Sequence, residues 1–262
     1  MARLLIIRFS SFGDIVQGVS VPYHFHCKFP DSTVDWLVRE DFAQLLTPQK
    51  HITNVIPFSR TKSLLELIKF AWKLSSDSYT QVYDAHNNVR SNVVMAIFIL
   101  RAVSSVFTHE LKGFRFLQRP KNRLKRLLLF KFRINKFEKP FIASKSFLEP
   151  LVKWGIHPDP QNILGENKFL ISPAAQHKAT EILKNSDDFI CLVPSAAWEM
   201  KRWPVPYWQK LIQELPREKF VILGGPEDDF CKAIAATAPE RVLNLCGKLS
   251  LIESCAVAQR SK

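Results

Sequence analysis

Residues 4–17 read LLIIRFSSFGDIVQ: four consecutive apolar residues, a short polar loop and the start of a helical pattern. An unbroken apolar run is typical of a strand that is buried on both faces in a parallel sheet. The loop contains Gly13 and Asp14, which are therefore expected just past the carboxyl end of the strand. That edge is where parallel α/β sheets bind their ligands. The segment predicts an α/β fold with a polar site in its first loop.

Apolar runs of strand length recur along the chain and alternate with helical patterns. Further strands are predicted at residues 33–38, 54–58, 81–84, 189–193, 220–223 and 242–245. Helices are predicted up to residue 28, then at 40–46, 64–74, 89–100, 121–134, 141–153, from 172 onward, and at 207–215, 227–237 and 249–258. This order predicts βαβ units and parallel sheets.

A stretch with several prolines and glycines, residues 154–167, divides the chain, and we interpret it as a linker. Doubly wound α/β domains are therefore expected at residues 1–167 and 168–262. The second contains only three predicted strands, whereas such nucleotide-binding sheets usually have about five or six. We expect the second domain to be incomplete.

The composition is that of a globular protein, with 47% of the 262 residues hydrophobic and 23% charged. The longest apolar run, residues 93–100, is far shorter than the roughly 20 residues that span a bilayer. The N-terminus lacks a signal-peptide pattern, and a cytoplasmic location is expected. The five cysteines are scattered without a C-x-x-C pair, so neither a disulfide framework nor a metal site is predicted.

The chain is strongly basic, since 37 lysines and arginines against 24 acidic residues give a net charge of +13. This excess favours a polyanionic partner: nucleic acid, an acidic membrane surface or a phosphorylated substrate. Much of the charge lies between Leu111 and Lys136, a segment without an acidic residue. Nucleic acid fits least well, because these cations cluster around one helix without the spaced aromatic residues that single-strand binding uses.

The helix predicted within this basic segment allows two interpretations. Its apolar residues recur at helical spacing and can pack against the core while the cations face solvent; they are Leu124, Leu127, Leu128 and Phe132. A basic amphipathic helix can equally lie on an anionic membrane surface.

Several stretches resemble, in order and spacing, the landmarks of glycosyltransferase family 9, the heptosyltransferases. They are residues 5–17, 29–38, 55–58, 194–204 (PSAAWEMKRWP), 223–228 (LGGPED) and 244–251 (NLCGKLSL). The resemblance spans essentially the whole chain and implies a GT-B fold, with two Rossmann-like domains facing each other across a cleft. It also implies inverting transfer of heptose from ADP-heptose to the lipopolysaccharide inner core, without a required metal or other cofactor.

Asp14 has two interpretations from its position alone: a proton acceptor for an attacking hydroxyl, or a cap for the following helix. The resemblance implies the first, with Lys201 stabilising the departing diphosphate. The implied donor-binding residues are Ser10, Ser11, Gly13, Ser195, Lys201 and Glu227. Asp228 and Asp229 are alternatives to Glu227 as partners of a ribose hydroxyl.

The resemblance implies an acceptor that is a phosphorylated lipid A–Kdo molecule, bound by the first domain at the inner face of the inner membrane, with the protein peripheral to that membrane. The expected acceptor contacts are basic; they are Arg60, Lys62, Arg90, Arg115 and Arg119.

One family landmark, an Asp-Ser/Thr-Gly-x-x-His loop that grips the donor, does not occur in this sequence. A chain without it is expected to bind ADP-sugar weakly. The alternative function is therefore a catalytically impaired protein of the same fold, or a basic module that binds anionic lipid.

Overall fold

A computed structural model describes residues 1–107, 115–158, 169–184, 188–196 and 198–262. The chain forms two compact units, Met1–Leu170 and Ile171–Lys262. The domain boundary predicted at 167/168 and most of the predicted linker lie outside the described residues, as does Lys112 of the basic segment.

The first unit is built on a parallel sheet of five strands in the order β3-β2-β1-β4-β5. Its strands are β1 (Arg3–Ile7), β2 (Thr33–Arg39), β3 (Asn54–Phe58), β4 (Gln81–Asp84) and β5 (Arg115–Gln118). Residues Leu4 to Ile7 of the central strand are fully buried. The parallel α/β fold predicted from this run is confirmed.

Strand β5 was not predicted. Its residues, 115–118, lie within the basic segment and lack an apolar run of strand length. The strand is short and lies at the sheet edge, and only Leu117 among its four residues is buried. An edge strand needs few apolar side chains, so its sequence carries a weak periodic signal.

Helices connect the strands of the first unit and follow the sheet along the chain. They are α1 (Phe12–Gly18), α2 (Ser20–Lys28), α3 (Ala43–Leu46), α4 (Leu64–Leu74), α5 (Val89–Phe107), α6 (Arg123–Phe132) and α7 (Lys145–Leu148), with 3-10 turns at Glu40–Phe42 and Glu149–Trp154. Helix α5 runs seven residues past its predicted end at Leu100. The helix predicted at 141–153 is instead a single α-turn followed by the 3-10 segment, in which Pro150 occupies an early position. No helix among the described residues has both the length and the apolar character needed to cross a bilayer.

The second unit contains, within its described residues, a parallel sheet in the order β6-β7-β8. Its elements are α8 (Pro173–Ile182), β6 (Ile190–Leu192), α9 (Val205–Glu214), β7 (Phe220–Ile222), α10 (Phe230–Ala235), β8 (Val242–Asn244) and α11 (Leu251–Ala258), with a 3-10 turn at Glu199–Lys201. Helix α8 begins with a hydroxyl cap, because Ser172 Oγ accepts a hydrogen bond of 3.3 Å from the amide of Ala175. Ile212, Phe220 and Ile222 form the centre of its core.

A buried carboxylate joins three strands of the first sheet. Asp35 on β2 is 1% exposed, and its Oδ2 accepts hydrogen bonds from Arg3 Nη2 (2.7 Å) and Tyr79 Oη (2.8 Å). Its Oδ1 accepts from Asn54 Nδ2 at 2.8 Å. Arg3 lies on β1, Asn54 on β3 and Tyr79 just before β4. The side chain of Asp35 therefore links β2 to both neighbouring strands and to the segment that precedes β4.

Replacing Asp35 with alanine should lower the free energy of unfolding by about 1–3 kcal/mol, because it leaves the Tyr79 hydroxyl and the Asn54 amide without their acceptor and weakens the pairing of the partly exposed Arg3. Asp31→Ala, at an exposed turn, is the matched control and should change it by about 0.5 kcal/mol or less. Urea unfolding followed by circular dichroism measures both. Equal midpoints for the two variants would contradict the assignment.

Candidate functional site

Asp14 lies in the first turn of α1, at the carboxyl end of the central strand β1. Its Oδ2 is 2.5 Å from Arg8 Nη2 and accepts a hydrogen bond of 2.8 Å from Ser11 Oγ. Its Oδ1 is 3.6 Å from Arg119 Nη1, which reaches it from the end of β5. Ser11 is the N-cap residue of α1 but makes no side-chain cap. The loop therefore presents a half-exposed carboxylate between two guanidinium groups.

Arg8 is the buried member of this group. Its side chain is 9% exposed, and Nη1 donates to the carbonyl of Ala85, after β4, at 2.7 Å. The guanidinium groups of Arg8 and Arg119 lie 5.6 Å and 3.6 Å from the centre of the Phe147 ring. Arg119 also donates to Ser146 Oγ at 2.6 Å. Both cations thus contact the same aromatic ring and both reach Asp14.

The electrostatics keep Asp14 ionised. Partial burial alone would raise its pKa, but the charges of Arg8 and Arg119 and the hydrogen bonds of Ser11 outweigh that effect and hold the pKa below its usual value. Burial lowers the pKa values of Arg8 and Arg119, and the opposing effect of the Asp14 charge, which raises them, is smaller. A low pKa makes a weak base. A ligand anion that drew either arginine away would raise the basicity of Asp14.

A second buried carboxylate shapes the turn after β4. Asp84 is fully buried; its Oδ1 accepts from the amides of His86 (2.9 Å) and Asn87 (2.7 Å), and its Oδ2 from Ser91 Oγ (2.9 Å) and Gln118 Nε2 (2.9 Å). This network fixes the turn beside Asp14.

The turn places a neutral imidazole in the site. His86 Nδ1 accepts a hydrogen bond of 3.1 Å from the amide of Phe9. Burial, followed by the charge of Arg8, lowers the pKa of His86 to about 4. The ring is therefore uncharged at neutral pH, and because Nδ1 is an acceptor its hydrogen is on Nε2. His86 was not predicted as a site residue; its position just after a strand was the available signal.

Two open cavities meet at this turn and share His86 and Asn88. The first, about 380 Å³, contains Asp14 and four cations; its lining is Arg8, Asp14, His86, Asn88, Arg119, Pro120, Lys121 and Arg126. The second, about 310 Å³, is lined by Phe9, Ser10, Arg39, Phe58, Arg60, His86, Asn88 and Arg90. Both suit anionic groups.

Three of the five residues predicted for acceptor binding line these cavities. Arg119 lines the first cavity, and Arg60 and Arg90 line the second. Lys62 lies beside the second, with Nζ 5.4 Å from the centre of the Phe58 ring. Arg115 lies at the other end of the strands. It pairs with Gln81 at the amino end of β4, whereas Asp14 follows the carboxyl end of β1. The structure therefore does not place Arg115 in the lining of either cavity.

Among the residues predicted for the donor, Ser10 lines the second cavity and Ser11 holds Asp14. A Cβ built on Gly13 would meet no protein atom within 4 Å, so its backbone faces open space.

In the second unit, Asp228 organises the strand-end loops. Its Oδ2 accepts from Ser195 Oγ (2.6 Å), after β6, and from the amide of Gly225 (2.7 Å), after β7. Its Oδ1 lies 3.9 Å from Arg202 Nη2, whose Nε donates to the carbonyl of Ala196 at 2.8 Å. Gly224 is needed here, because a Cβ would lie 2.9 Å from Cys246 Sγ. Asp228 was expected from the sequence as an alternative ribose contact. Its Oδ2 instead accepts hydrogen bonds from these loops.

Two charged residues of these loops stay available. Lys201 ends the 3-10 turn after β6 and is exposed, and no ion pair to it occurs among the described residues. Glu227 is exposed beside Asp228, whereas Asp229 pairs with Lys232 at 2.7 Å. Ser195 donates its hydroxyl hydrogen to Asp228, so its oxygen is held within the loop network. No group of three or more potential metal ligands occurs in the described part of the chain.

Several solved glycosyltransferase structures have a similar fold. A glycosyl transferase family 9 protein from Veillonella parvula DSM 2008 superposes with a TM-score of 0.75 at 17% identity, over 99% of this chain and 74% of the other. The ADP-heptose lipopolysaccharide heptosyltransferase II of E. coli gives 0.69 at 18% identity, over 98% and 76%. The E. coli heptosyltransferase WaaC with ADP gives 0.67 at 21% identity, over 99% and 79%. These matches confirm the GT-B class of fold.

The sequence itself carries the family. The model of glycosyltransferase family 9 (heptosyltransferase) matches residues 67–262. The chain belongs to glycosyltransferase family 9, as its motifs indicated. Comparison with curated proteins gives no match.

Replacing Arg8 with glutamine should raise the pKa of Asp14, and Arg119→Gln should raise it less, because Arg119 Nη1 is farther from the carboxylate. A depressed pKa adds stability above the unfolded-state pKa that is lost as pH falls through the folded-state value. The variants should therefore lose less stability on acidification than the wild type. Carboxyl NMR titration measures the pKa; Arg39→Gln, whose partner is Asp41, is the control. An unchanged Asp14 titration would contradict the geometry.

Asp228→Ala should lower the free energy of unfolding by about 1–3 kcal/mol, because it leaves the Gly225 amide and the Ser195 hydroxyl without their acceptor. The neighbouring Asp229→Ala removes only an exposed pair with Lys232 and should change it by about 0.5 kcal/mol or less. Thermal unfolding compares the two; equal losses would show that Asp228 does not hold the loops.

Proposed function

We propose that this glycosyltransferase moves heptose from ADP-heptose to a phosphorylated lipid A–Kdo acceptor at the cytoplasmic face of the inner membrane. The observation that carries the proposal is Asp14: an ionised carboxylate at the carboxyl end of β1, in a cavity with four cations. Solved structures of the same fold hold ADP or ADP-2-deoxy-2-fluoro heptose, which supports a nucleotide-sugar donor.

In the proposed step, a hydroxyl of the acceptor attacks the anomeric carbon of the donor sugar with inversion. The new bond joins the acceptor oxygen to that carbon, the bond from the carbon to the diphosphate oxygen breaks, and ADP leaves. Asp14 takes the proton of the hydroxyl. Anionic groups of the acceptor pair with Arg8 or Arg119, which loosens their hold on Asp14 and raises its basicity as the acceptor binds.

The donor side is proposed to lie on the strand-end loops of the second unit. Lys201 offsets the charge that develops on the leaving diphosphate, so no metal is required. Glu227 accepts from a ribose hydroxyl. The backbone amides near Ser195 contribute more than its hydroxyl, whose hydrogen is donated to Asp228.

The acceptor side is proposed to use the two adjoining cavities. Arg119, Lys121 and Arg126 face anionic groups near the reacting hydroxyl, while Arg60 and Arg90 of the second cavity bind a further one. The neutral His86 between them donates from Nε2 to a sugar oxygen.

Asp14→Asn, which keeps the shape of the side chain but removes the base, should lower the transfer rate by about 10²–10⁴-fold. Mass spectrometry of the lipid product and ADP release measure transfer from ADP-heptose, in the presence of EDTA. Asp31→Asn, at an exposed turn, should retain the wild-type rate.

Two outcomes would sink the proposal. One is wild-type transfer by Asp14→Asn. The other is a wild-type protein that gives no heat with ADP in calorimetry and forms no product, which would favour the alternative of a lipid-binding module.

A further inference from the structure

Helix α6 leaves its apolar side open. None of its ten residues is buried. Its large apolar side chains are instead mostly exposed: Leu124 (69%), Leu127 (52%), Phe130 (71%) and Phe132 (55%). The interpretation in which this face packs against the core is therefore wrong. Exposed apolar side chains that lie this close together mark an interaction surface.

The residues after α6 form a groove beside the helix, and of the four exposed side chains named above only Phe130 lines it. A cavity of about 400 Å³ is lined by Arg126, Leu129, Phe130, Asn135, Phe137, Glu138, Lys139 and Phe141. Phe137 and Phe141 meet edge to face, 5.8 Å between ring centres, and Phe141 is 59% exposed. The volume falls in the roughly 300–1,000 Å³ range of ligand pockets. The walls suit an alkyl chain.

Cations outnumber carboxylates at the groove: Arg126 and Lys139 line it, and Lys125 Nζ lies 5.9 Å from the centre of the Phe137 ring. The carboxylate in its lining is Glu138. That carboxylate is paired with Lys145 at 2.6 Å. Apolar walls within a cationic rim complement an anionic amphiphile.

Arg126 connects the groove to the candidate site. It lines both the apolar groove and the cavity of Asp14. An amphiphile with its chain in the groove would therefore carry its charged head to the edge of the Asp14 cavity.

We propose that this groove binds an acyl chain of an anionic membrane lipid, with Arg126 pairing with the phosphate of the same lipid. The inference rests on the proposed function in one respect: the lipid whose head enters the Asp14 cavity is the acceptor. Binding of the chain itself is independent of transfer.

The test is vesicle flotation with the full chain. Wild-type protein should bind vesicles of phosphatidylcholine that contain phosphatidylglycerol, and bind pure phosphatidylcholine weakly. The double variant Phe130→Ser/Phe141→Ser should bind the anionic vesicles at least about tenfold more weakly. Leu65→Ser on α4, where the side chain is also 71% exposed, is the control and should bind as wild type does.

Charge and chain are separated by two further measurements. Arg126→Gln should weaken vesicle binding about fivefold, and the exposed Lys69→Gln on α4 should leave it unchanged. In calorimetry, monomeric dioctanoyl phosphatidylglycerol should bind, whereas glycerol phosphate should bind at least about tenfold more weakly.

Equal binding of dioctanoyl phosphatidylglycerol and glycerol phosphate would overturn the proposal that the groove binds an acyl chain. Binding of anionic vesicles by the Phe130→Ser/Phe141→Ser variant at the wild-type level would overturn it as well. Vesicle binding that survives while transfer is absent would overturn only the proposed function. Circular dichroism shows whether each variant is folded.

Discussion

The candidate site depends on how one buried cation is compensated. Removing a guanidinium from water is costly unless its hydrogen bonds and charge are matched. Arg8 is matched by Asp14, by the carbonyl of Ala85 and by the ring of Phe147, while its Nε is buried without a hydrogen-bond partner among the described residues. These contacts join the ends of β1 and β4 to the start of the α7 region. The carboxylate proposed as the base is therefore also a structural partner, and any substitution at Asp14 affects both roles.

In both units a buried carboxylate holds the turn that follows a parallel strand. At the carboxyl end of a parallel strand the chain turns sharply, and amides and hydroxyls are left without sheet partners. Asp84 in the first unit and Asp228 in the second collect these donors. Each buried carboxylate holds its loop, and His86 and Lys201 lie beside these loops, His86 on the lining of both cavities and Lys201 exposed.

Much of the fold could be predicted from periodicity. Strands β3 and β4 and helix α4 have the predicted bounds, because their apolar residues face one continuous core and the ends carry clear signals, such as the capping box of Ser63 and Glu66. Strand β5 could not be predicted, since a charged edge strand is defined by the strand it pairs with. Helix α5 packs against α4, and beyond Leu100 the guanidinium of Arg101 donates to the carbonyl of Trp72 at 3.3 Å. Local periodicity does not report such a contact.

The sequence by itself determined the alternation of strands and helices, the carboxylate at the end of β1 and the clustering of cations near residues 111–136. Only the tertiary structure decided which cations share a cavity with Asp14. Arg115 and Arg119 are four residues apart in sequence, yet they lie at opposite ends of β5, and only Arg119 lines the cavity of Asp14. It also decided that His86 is neutral and that the apolar face of α6 stays uncovered. Burial and distance are properties of the packed chain, so local spacing does not encode them.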